Sequence, residues 1–259
     1  MSALIVDGQM VHYEVLGRGP ALVFVHGWLG SWRYWVPTMQ TLSSRYRTYA
    51  VDLWGFGDSA KQHERYTLEE QTALLRHFME QLGIPKAAFV GHALGGAIVL
   101  RFADEHPEMV ARLMAVSVPL VGAALNPRFA GATPPILLDW LMGRNPTAEQ
   151  IAVEANKADV AAIDTSVRGV MEADLRVELT RTGVPCLLVH SERDPAVAAP
   201  QESWFDGVEA NFHQITFEES RHFPMLEEVA KFNRLLLDFL ESDDLKSLQL
   251  KEEWRRRIR

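Results

Sequence analysis

Eight short apolar runs recur along the chain, separated by polar stretches. The first two flank Asp7-Gly8, a dipeptide typical of a tight turn, so they are predicted to pair as a hairpin. Most later runs are nearly continuous in apolar residues, which is typical of strands covered on both faces in a parallel sheet. The eight runs are Leu4–Val6, Met10–Val15, Ala21–Val25, Tyr46–Val51, Ala87–Val90, Leu113–Val118, Pro185–Val189 and Phe212–Phe217.

Helix patterns lie between these runs. Thr67 and the glutamate three residues later form a capping box, and apolar residues then recur at helical spacing until Gly83. Further helices are predicted from Gly95 to Glu105 and from Glu227 to Leu240. Strands that alternate with helices predict an α/β fold with a doubly wound, mostly parallel sheet. Active sites in such sheets lie at the carboxyl ends of the strands.

The alternation is interrupted between about residues 121 and 177. This stretch has no clear strand pattern, and its helix patterns cover Pro134–Leu141, Thr147–Lys157 and Val160–Met171. We interpret it as a small helical lid inserted between two strands, where it would wall a pocket and exclude water. A set of ordinary crossover helices is the alternative interpretation.

Several of the apolar runs end in short motifs. Gly91-His92-Ala93-Leu94-Gly95 joins a run to a helix in a sharp turn, which is crowded enough to favour glycine at both ends. This pattern is the nucleophile elbow, Gly-x-Ser-x-Gly, with Ala93 in place of serine. The other motifs are His26-Gly27-Trp28, Asp52-Leu53-Trp54-Gly55-Phe56-Gly57-Asp58-Ser59, Ser191-Glu192-Arg193-Asp194-Pro195 and Ser220-Arg221-His222-Phe223-Pro224.

With these motifs in this order, the chain resembles the small, lidded esterases and C–C hydrolases of the α/β-hydrolase fold family. The similarity extends from about Val11 to Leu240, and the order of nucleophile, acid and histidine is that of the family. The resemblance implies one domain over residues 1–259, a sheet of about eight strands, and the helical lid at 121–177.

The resemblance also implies the catalytic residues. His222 would act as the general base, and Asp194 would orient its ring and stabilise the imidazolium. The backbone N–H groups of Trp28 and Leu94 would form the oxyanion hole, since Leu94 begins a helix whose dipole favours negative charge there. Ala93 occupies the nucleophile's position but has no hydroxyl.

Ala93 leaves three interpretations open, because a methyl group cannot attack a carbonyl. The serine was replaced deliberately to trap a substrate, or the natural protein carries alanine and uses the His222–Asp194 dyad as a general base. That dyad would serve direct hydrolysis, a lyase or a cofactor-free oxygenase. In the third interpretation the fold binds a ligand without catalysis. The leading hypothesis is a hydrolase acting on a small, hydrophobic ester or acyl substrate.

Apolar and aromatic residues next to the motifs and in the predicted lid are candidates for the substrate pocket. Packing between lid and core is the competing explanation for these residues. His26 is also expected to hold the oxyanion loop. The candidates are His26, Trp28, Leu120, Phe129, Trp140, Leu141 and Phe223.

Composition narrows the possible partners. The 259 residues carry 26 Lys and Arg against 34 Asp and Glu, a net charge of −8 that disfavours nucleic acid. The single cysteine, Cys186, excludes an internal disulfide and a cysteine-based zinc site. The histidine spacing indicates no metal, and no cofactor is expected. The chain shows neither a signal-peptide pattern nor an apolar stretch of membrane-spanning length, so we expect a cytoplasmic protein that acts on a small molecule without membrane contact.

The C-terminal stretch 243–259 is rich in charge. It predicts a charged helix with Leu245 and Leu248 on one side. Such a helix would dock on its own domain or on a second copy, which leaves a homodimer open.

Overall fold

The sheet is the centre of this computed structural model, which describes residues 2–143, 147–205 and 211–250. Its strands are ordered β1-β2-β4-β3-β5-β6-β7-β8. The β1–β2 and β2–β4 pairs are antiparallel, and all pairs from β4–β3 onward are parallel. This confirms the predicted fold class. The strands are β1 Ser2–Val6, β2 Gln9–Gly17, β3 Ala21–Val25, β4 Arg47–Val51, β5 Ala87–His92, β6 Val110–Val116, β7 Cys186–Ser191 and β8 Phe212–Phe217.

Nine helices are present among the described residues. Thr67 is the predicted N-cap, since its side chain accepts a hydrogen bond from the Glu70 N–H at the start of α2, whereas the Glu70 carboxylate accepts from Arg65 and does not complete the capping box. The helix predicted over Glu227–Leu240 is instead interrupted at Glu228 (φ −129°, ψ 52°). The helices are α1 Val36–Leu42, α2 Leu68–Gln81, α3 Leu94–Glu105, α4 Pro134–Met142, α5 Ala148–Ala155, α6 Val160–Glu172, α7 Arg176–Arg181, α8 Pro224–Glu227 and α9 Val229–Glu241.

Burial explains why the central strands are apolar throughout. Every residue of β5 and of β7 is buried, because helices cover both faces of the parallel part of the sheet. The edge strand β8 has only two buried residues, Ile215 and Phe217, and correspondingly carries polar residues between them and at its start. The core therefore lies on both sides of β3, β5, β6 and β7.

Helices α4 to α6 form the stretch at 121–177, which we call the inserted segment. It follows β6 and precedes β7, and its three predicted helices are present with small shifts in their ends. An isolated bridge between Val121 and Asp174 closes its base. Gly122 lies so close to the Met171 carbonyl that a Cβ there would be 1.7 Å from the oxygen, so the two ends of the segment pack backbone to backbone.

The C-terminal tail differs from the prediction. Its described part, up to Leu250, forms a single 3₁₀ turn, Leu245–Ser247, instead of a helix. Leu245 and Leu248 are buried, and the Leu248 carbonyl accepts a hydrogen bond from the ring of His213 in β8. The described part of the tail thus packs beside the edge strand β8. Residues 251–259, also part of the predicted helix, lie outside the described residues.

No helix in the described part of the chain combines the length and the apolar character needed to cross a bilayer.

Candidate active site

The nucleophile elbow lies between β5 and α3, with Ala93 at its centre. Ala93 has φ 49° and ψ −110°, an unusual backbone conformation for a residue with a side chain, and its N–H donates to the Val116 carbonyl at 2.8 Å. A Cβ on Gly91 would lie 2.4 Å from the Gly95 carbonyl oxygen, and one on Gly95 would lie 2.3 Å from the Val25 carbonyl oxygen. The turn is therefore tight enough that the chain needs glycine on both sides of Ala93.

His222 and Asp194 form a buried pair after β8 and β7. The His222 Nδ1 atom lies 3.0 Å from Asp194 Oδ1 and 2.9 Å from Oδ2. The Ala196 and Val197 N–H groups also donate to Asp194 Oδ1. Burial alone would raise the pKa of the Asp194 carboxyl, but His222 and these N–H groups outweigh it and hold that pKa below its ordinary value. Asp194 is therefore an anion at neutral pH, oriented toward the ring.

The two predicted oxyanion donors are available. Within the described chain, the backbone N–H groups of Trp28 and Leu94 have no hydrogen-bond partner. A Cβ on Gly27 would lie 3.0 Å from the Ala93 Cβ, so the loop after β3 touches the elbow. The Trp28 side chain is bound to the inserted segment, where its Nε1–H donates to Ser166 Oγ in α6 at 3.0 Å.

A chain of buried hydrogen bonds connects the oxyanion loop to the histidine loop. The Gly27 N–H donates to the Tyr34 hydroxyl oxygen at 2.6 Å, and that hydroxyl lies 3.1 Å from His92 Nδ1. His92 Nε2 lies 2.8 Å from the His222 carbonyl oxygen, which can only accept, so Nε2 carries the proton and Nδ1 accepts from Tyr34. Burial holds the pKa of His92 well below its ordinary value, which keeps this ring neutral.

Aromatic side chains cover the dyad. The Phe129 ring centroid is 4.8 Å from that of Trp28, 5.7 Å from Trp140 and 6.4 Å from His222. Phe223 packs edge-on against His222 at 5.1 Å. Four of the predicted pocket residues therefore gather around the dyad as a packed, mostly buried cluster.

The other three predicted pocket residues are placed differently. Leu120 and Leu141 are buried and accept hydrogen bonds through their backbone carbonyls, from the Leu175 N–H and the Arg221 guanidinium respectively. His26 has no exposed surface, since Nδ1 bonds to the Gly27 carbonyl and Nε2 accepts from the Leu53 N–H. His26 thus joins two loops, as expected of a residue that holds the oxyanion loop.

A cavity of about 480 Å³ opens beside this cluster, lined by residues that the sequence analysis did not single out. Tyr34 forms its inner wall, and the Tyr34 ring is 6.2 Å from that of Phe223. The cavity is therefore bounded by the loop after β3 and the start of α1, by α5 of the inserted segment, and by α8 and the start of α9.

One group of potential metal ligands occurs within the described ranges, formed by His12, Asp52 and Asp58 with ligand atoms within 4.8 Å of one another. Asp52 accepts from the His12 ring and from the Trp32 and Asp58 N–H groups, and Asp58 pairs with Lys157. These contacts give the cluster a structural role in joining β2 to the loops after β3 and β4.

Four residues of the site were not predicted from the sequence: Tyr34, Ser166, Arg221 and Glu227. Glu227 accepts hydrogen bonds from the Arg221 and Phe223 N–H groups, which lie on either side of His222. The signal available for Arg221 was its position inside the histidine motif, and that for Glu227 was its position shortly after the motif. Tyr34 and Ser166 belong to no local motif, so only the fold brings them to the site.

Comparisons with known proteins agree with this architecture. The model of the alpha/beta hydrolase fold family matches residues 20–141. The chain is 28% identical to the pimeloyl-[acyl-carrier protein] methyl ester esterase of Vibrio cholerae, over 88% of this chain and 97% of that protein. It is 35% identical to bifunctional epoxide hydrolase 2 of Rattus norvegicus over 120 residues, which are 44% of this chain and 21% of that protein.

A solved structure shows the same fold. The enol-lactonase from Burkholderia xenovorans LB400 superposes with a TM-score of 0.83 at 21% identity, covering 93% of this chain and 100% of that one. The chain therefore has the α/β-hydrolase fold, and residues 20–141 match the model of that family. Its curated relatives are hydrolases, and the chain is accordingly a member of the hydrolase class.

Proposed function

We propose that this protein hydrolyses a small, hydrophobic carboxylic ester, with His222 and Asp194 activating a water molecule in place of a serine nucleophile. The observation that carries the proposal is the pair itself, in which both Asp194 oxygens lie within 3.0 Å of His222 Nδ1. That contact keeps the proton on Nδ1 and leaves Nε2 as a base. Ala93 provides no competing nucleophile.

The reaction would proceed in one addition step and one elimination step. His222 Nε2 takes a proton from water as the water oxygen bonds to the ester carbonyl carbon. The N–H groups of Trp28 and Leu94 stabilise the negative charge on the carbonyl oxygen. The tetrahedral adduct then expels the alcohol, which receives the proton from His222, and the acid is released. No acyl-enzyme forms.

The rate enhancement that is possible without a serine nucleophile favours an ester over an amide as the substrate. In a serine protease, loss of the nucleophile costs about 10⁶ in kcat, yet about 10³–10⁴-fold over water remains from the oxyanion hole and binding. A remaining rate enhancement of that size is useful for an ester with a good leaving group and negligible for an amide. The names of relatives that match over most of their length, methyl ester esterases, also support an ester as the substrate.

Substrate selection would follow from the aromatic cluster and the inserted segment. Phe129 lies beside His222 and packs against Trp140 in α4, and the Ser166 hydroxyl in α6 accepts from the Trp28 ring N–H. We infer that the inserted segment is a lid within a single domain of residues 1–259, and that a small apolar acyl group replaces part of this packing when it binds. The partner is a small molecule.

Substitutions at positions 93 and 222 test the proposal. We expect the unsubstituted protein to hydrolyse short p-nitrophenyl esters without a burst, and His222→Ala to remove most of that turnover. Ala93→Ser should create burst kinetics, because a hydroxyl at the elbow allows an acyl-enzyme to accumulate. Ala93→Gly, which adds no hydroxyl, is the matched control and should show no burst.

Three results would contradict the water mechanism. Turnover that survives His222→Ala would show that the dyad is not the base. An inactive unsubstituted protein with an active Ala93→Ser variant would show that the site requires serine. If neither protein turns over an ester that nevertheless binds, the non-catalytic interpretation replaces the proposal.

A further inference from the structure

The cavity beside the dyad has the size and lining of a small-molecule site. Its volume of about 480 Å³ lies within the usual range of about 300–1,000 Å³ for ligand pockets. Most of its wall is apolar, from Leu29, Val36, Pro37, Ile151, Leu226 and Val229. An apolar wall of this kind binds a hydrocarbon group by removing it from water.

One polar group in the wall lacks a partner. Glu154 in α5 is 4% exposed, and its Oε2 atom has no hydrogen bond to any described residue. Its other oxygen, Oε1, lies 2.8 Å from Arg33 Nε and 3.2 Å from Lys157 Nζ. A buried acceptor without a donor destabilises the unliganded site, so a ligand that supplies the donor gains that contact.

Charge at this end of the cavity is already balanced. Arg33 and Lys157 contribute two positive charges, and Glu154 and Asp58 contribute two negative charges, with Lys157 bridging both carboxylates. A cationic ligand would add an uncompensated charge in a buried place, whereas a neutral donor would not. The Arg33 Nη groups also have no hydrogen-bond partner within the described chain, so they are free to donate to a carbonyl.

We propose that this cavity binds a small apolar molecule that ends in a neutral carboxamide, whose N–H donates to Glu154 Oε2 and whose carbonyl accepts from Arg33. The hydrocarbon part would lie against Ile151, Leu226 and the other apolar side chains of the wall. The inference concerns binding alone and holds whether or not the protein turns over an ester.

The test compares octanamide with methyl heptyl ketone, which has the same shape but a methyl group in place of the amide NH₂. We expect octanamide to bind about tenfold more tightly, as measured by NMR titration. Both compounds should shift the methyl resonances of Ile151 and Leu226 and leave those of Leu113, in β6, unchanged. Octylamine should bind more weakly than octanamide.

Glu154→Gln is the decisive variant. In this variant Arg33 and Lys157 still contact the side-chain oxygen, so the new NH₂ group takes the position of Oε2. The preference for octanamide over the ketone should therefore fall to about onefold. Glu149→Gln, an exposed change in the same helix, should leave the preference intact. Retained binding of the ketone shows that Glu154→Gln is folded.

Several outcomes would overturn the inference. They are equal affinities for amide and ketone in the unsubstituted protein, an amide preference that survives Glu154→Gln, and shifts confined to methyl groups away from the cavity. Tightest binding of octylamine would show recognition of a cation and would also overturn it. The comparison of the three compounds needs no variant, so it decides the question even if Glu154→Gln does not fold.

Discussion

Asp194 combines burial with a negative charge because its neighbours supply what water would otherwise provide. Both oxygens contact His222, and Oδ1 accepts from two backbone N–H groups in the loop after β7. The lowered pKa of Asp194 has a consequence for stability. The stabilisation of the fold by ionised Asp194 is complete above the ordinary aspartate pKa of about 3.9. It is lost as pH falls through the lower pKa that Asp194 has in the folded protein.

Asp194→Asn is expected to lower the free energy of unfolding by about 1.5–3 kcal/mol at pH 7, because it removes hydrogen bonds to a charged group. The difference from the unsubstituted protein should shrink as pH falls below about 4. Urea unfolding between pH 7 and pH 3 measures it, with the exposed Asp243→Asn as control. A difference that stays constant or grows on acidification would contradict the assignment.

Tyr34 is a second residue at which one atom, the hydroxyl oxygen, is expected to affect stability. Tyr34→Phe removes the hydroxyl and leaves the Gly27 N–H and His92 Nδ1 buried without partners. We expect a loss of about 1–3 kcal/mol in the free energy of unfolding, measured by urea denaturation. Tyr13→Phe is the matched control, since the Tyr13 hydroxyl has no hydrogen bond within the described ranges. Equal stability of both variants would show that the Tyr34 hydroxyl contributes nothing.

At the scale of elements, the elbow depends on how closely α3 approaches β3. Helix propensity predicts that alanine in place of Gly95 stabilises α3 by about 1 kcal/mol. The close approach to the Val25 carbonyl predicts the opposite sign, because backbone atoms cannot move aside as a flexible side chain can. The second effect should dominate.

Gly95→Ala is therefore expected to destabilise the protein by about 3 kcal/mol, and a thermal or urea unfolding curve measures the change. Gly183→Ala is the control, since a Cβ at Gly183 meets nothing within 4 Å and should change stability by less than about 0.5 kcal/mol. A stabilised Gly95→Ala variant would mean that α3 can shift away from β3.

Strands and helices with a regular pattern were predictable from the sequence, and irregular ones were not. The eight apolar runs became the eight strands because burial on both faces leaves a continuous signal. Helix α1 was not predicted, since its seven residues include Pro37 and two threonines and carry little periodicity. The tail was predicted as a helix from its charge pattern, but contact of Leu248 with the edge strand decided its conformation.

In the candidate site, likewise, some residues were predictable from the sequence and others were not. Ala93, Asp194 and His222 follow strand ends and belong to motifs, so their positions were foreseeable. The cavity was not, because its wall combines residues around 30, 150 and 226 that only tertiary structure brings together. The aromatic residues predicted to line a pocket pack on one another beside His222.

At the scale of the whole molecule, the inserted segment and the core meet at the histidine loop. The Arg221 guanidinium donates to the Trp140 carbonyl at 2.7 Å and to the Leu141 carbonyl at 3.0 Å. These carbonyls lie in the last turn of α4, where helical hydrogen bonds end and an arginine can replace them. One side chain next to His222 thus joins the histidine loop to the inserted segment.

Arg221→Gln should loosen the inserted segment without unfolding the sheet. We expect the amide hydrogens of α4 and α6 to exchange about tenfold faster or more. Opening the segment in the variant no longer breaks these charged hydrogen bonds, so it costs about 1.5–3 kcal/mol less. The amide hydrogens of β3 and of β5 to β7 should keep their protection. Hydrogen exchange followed by mass spectrometry measures both regions at once. Arg193→Gln is the control, since Arg193 and its partner Glu219 are both exposed and such a pair contributes little. Uniformly faster exchange would mean that Arg221 stabilises the whole fold, and unchanged exchange in α4 would mean that other contacts, such as that between Trp28 and Ser166, hold the segment in place.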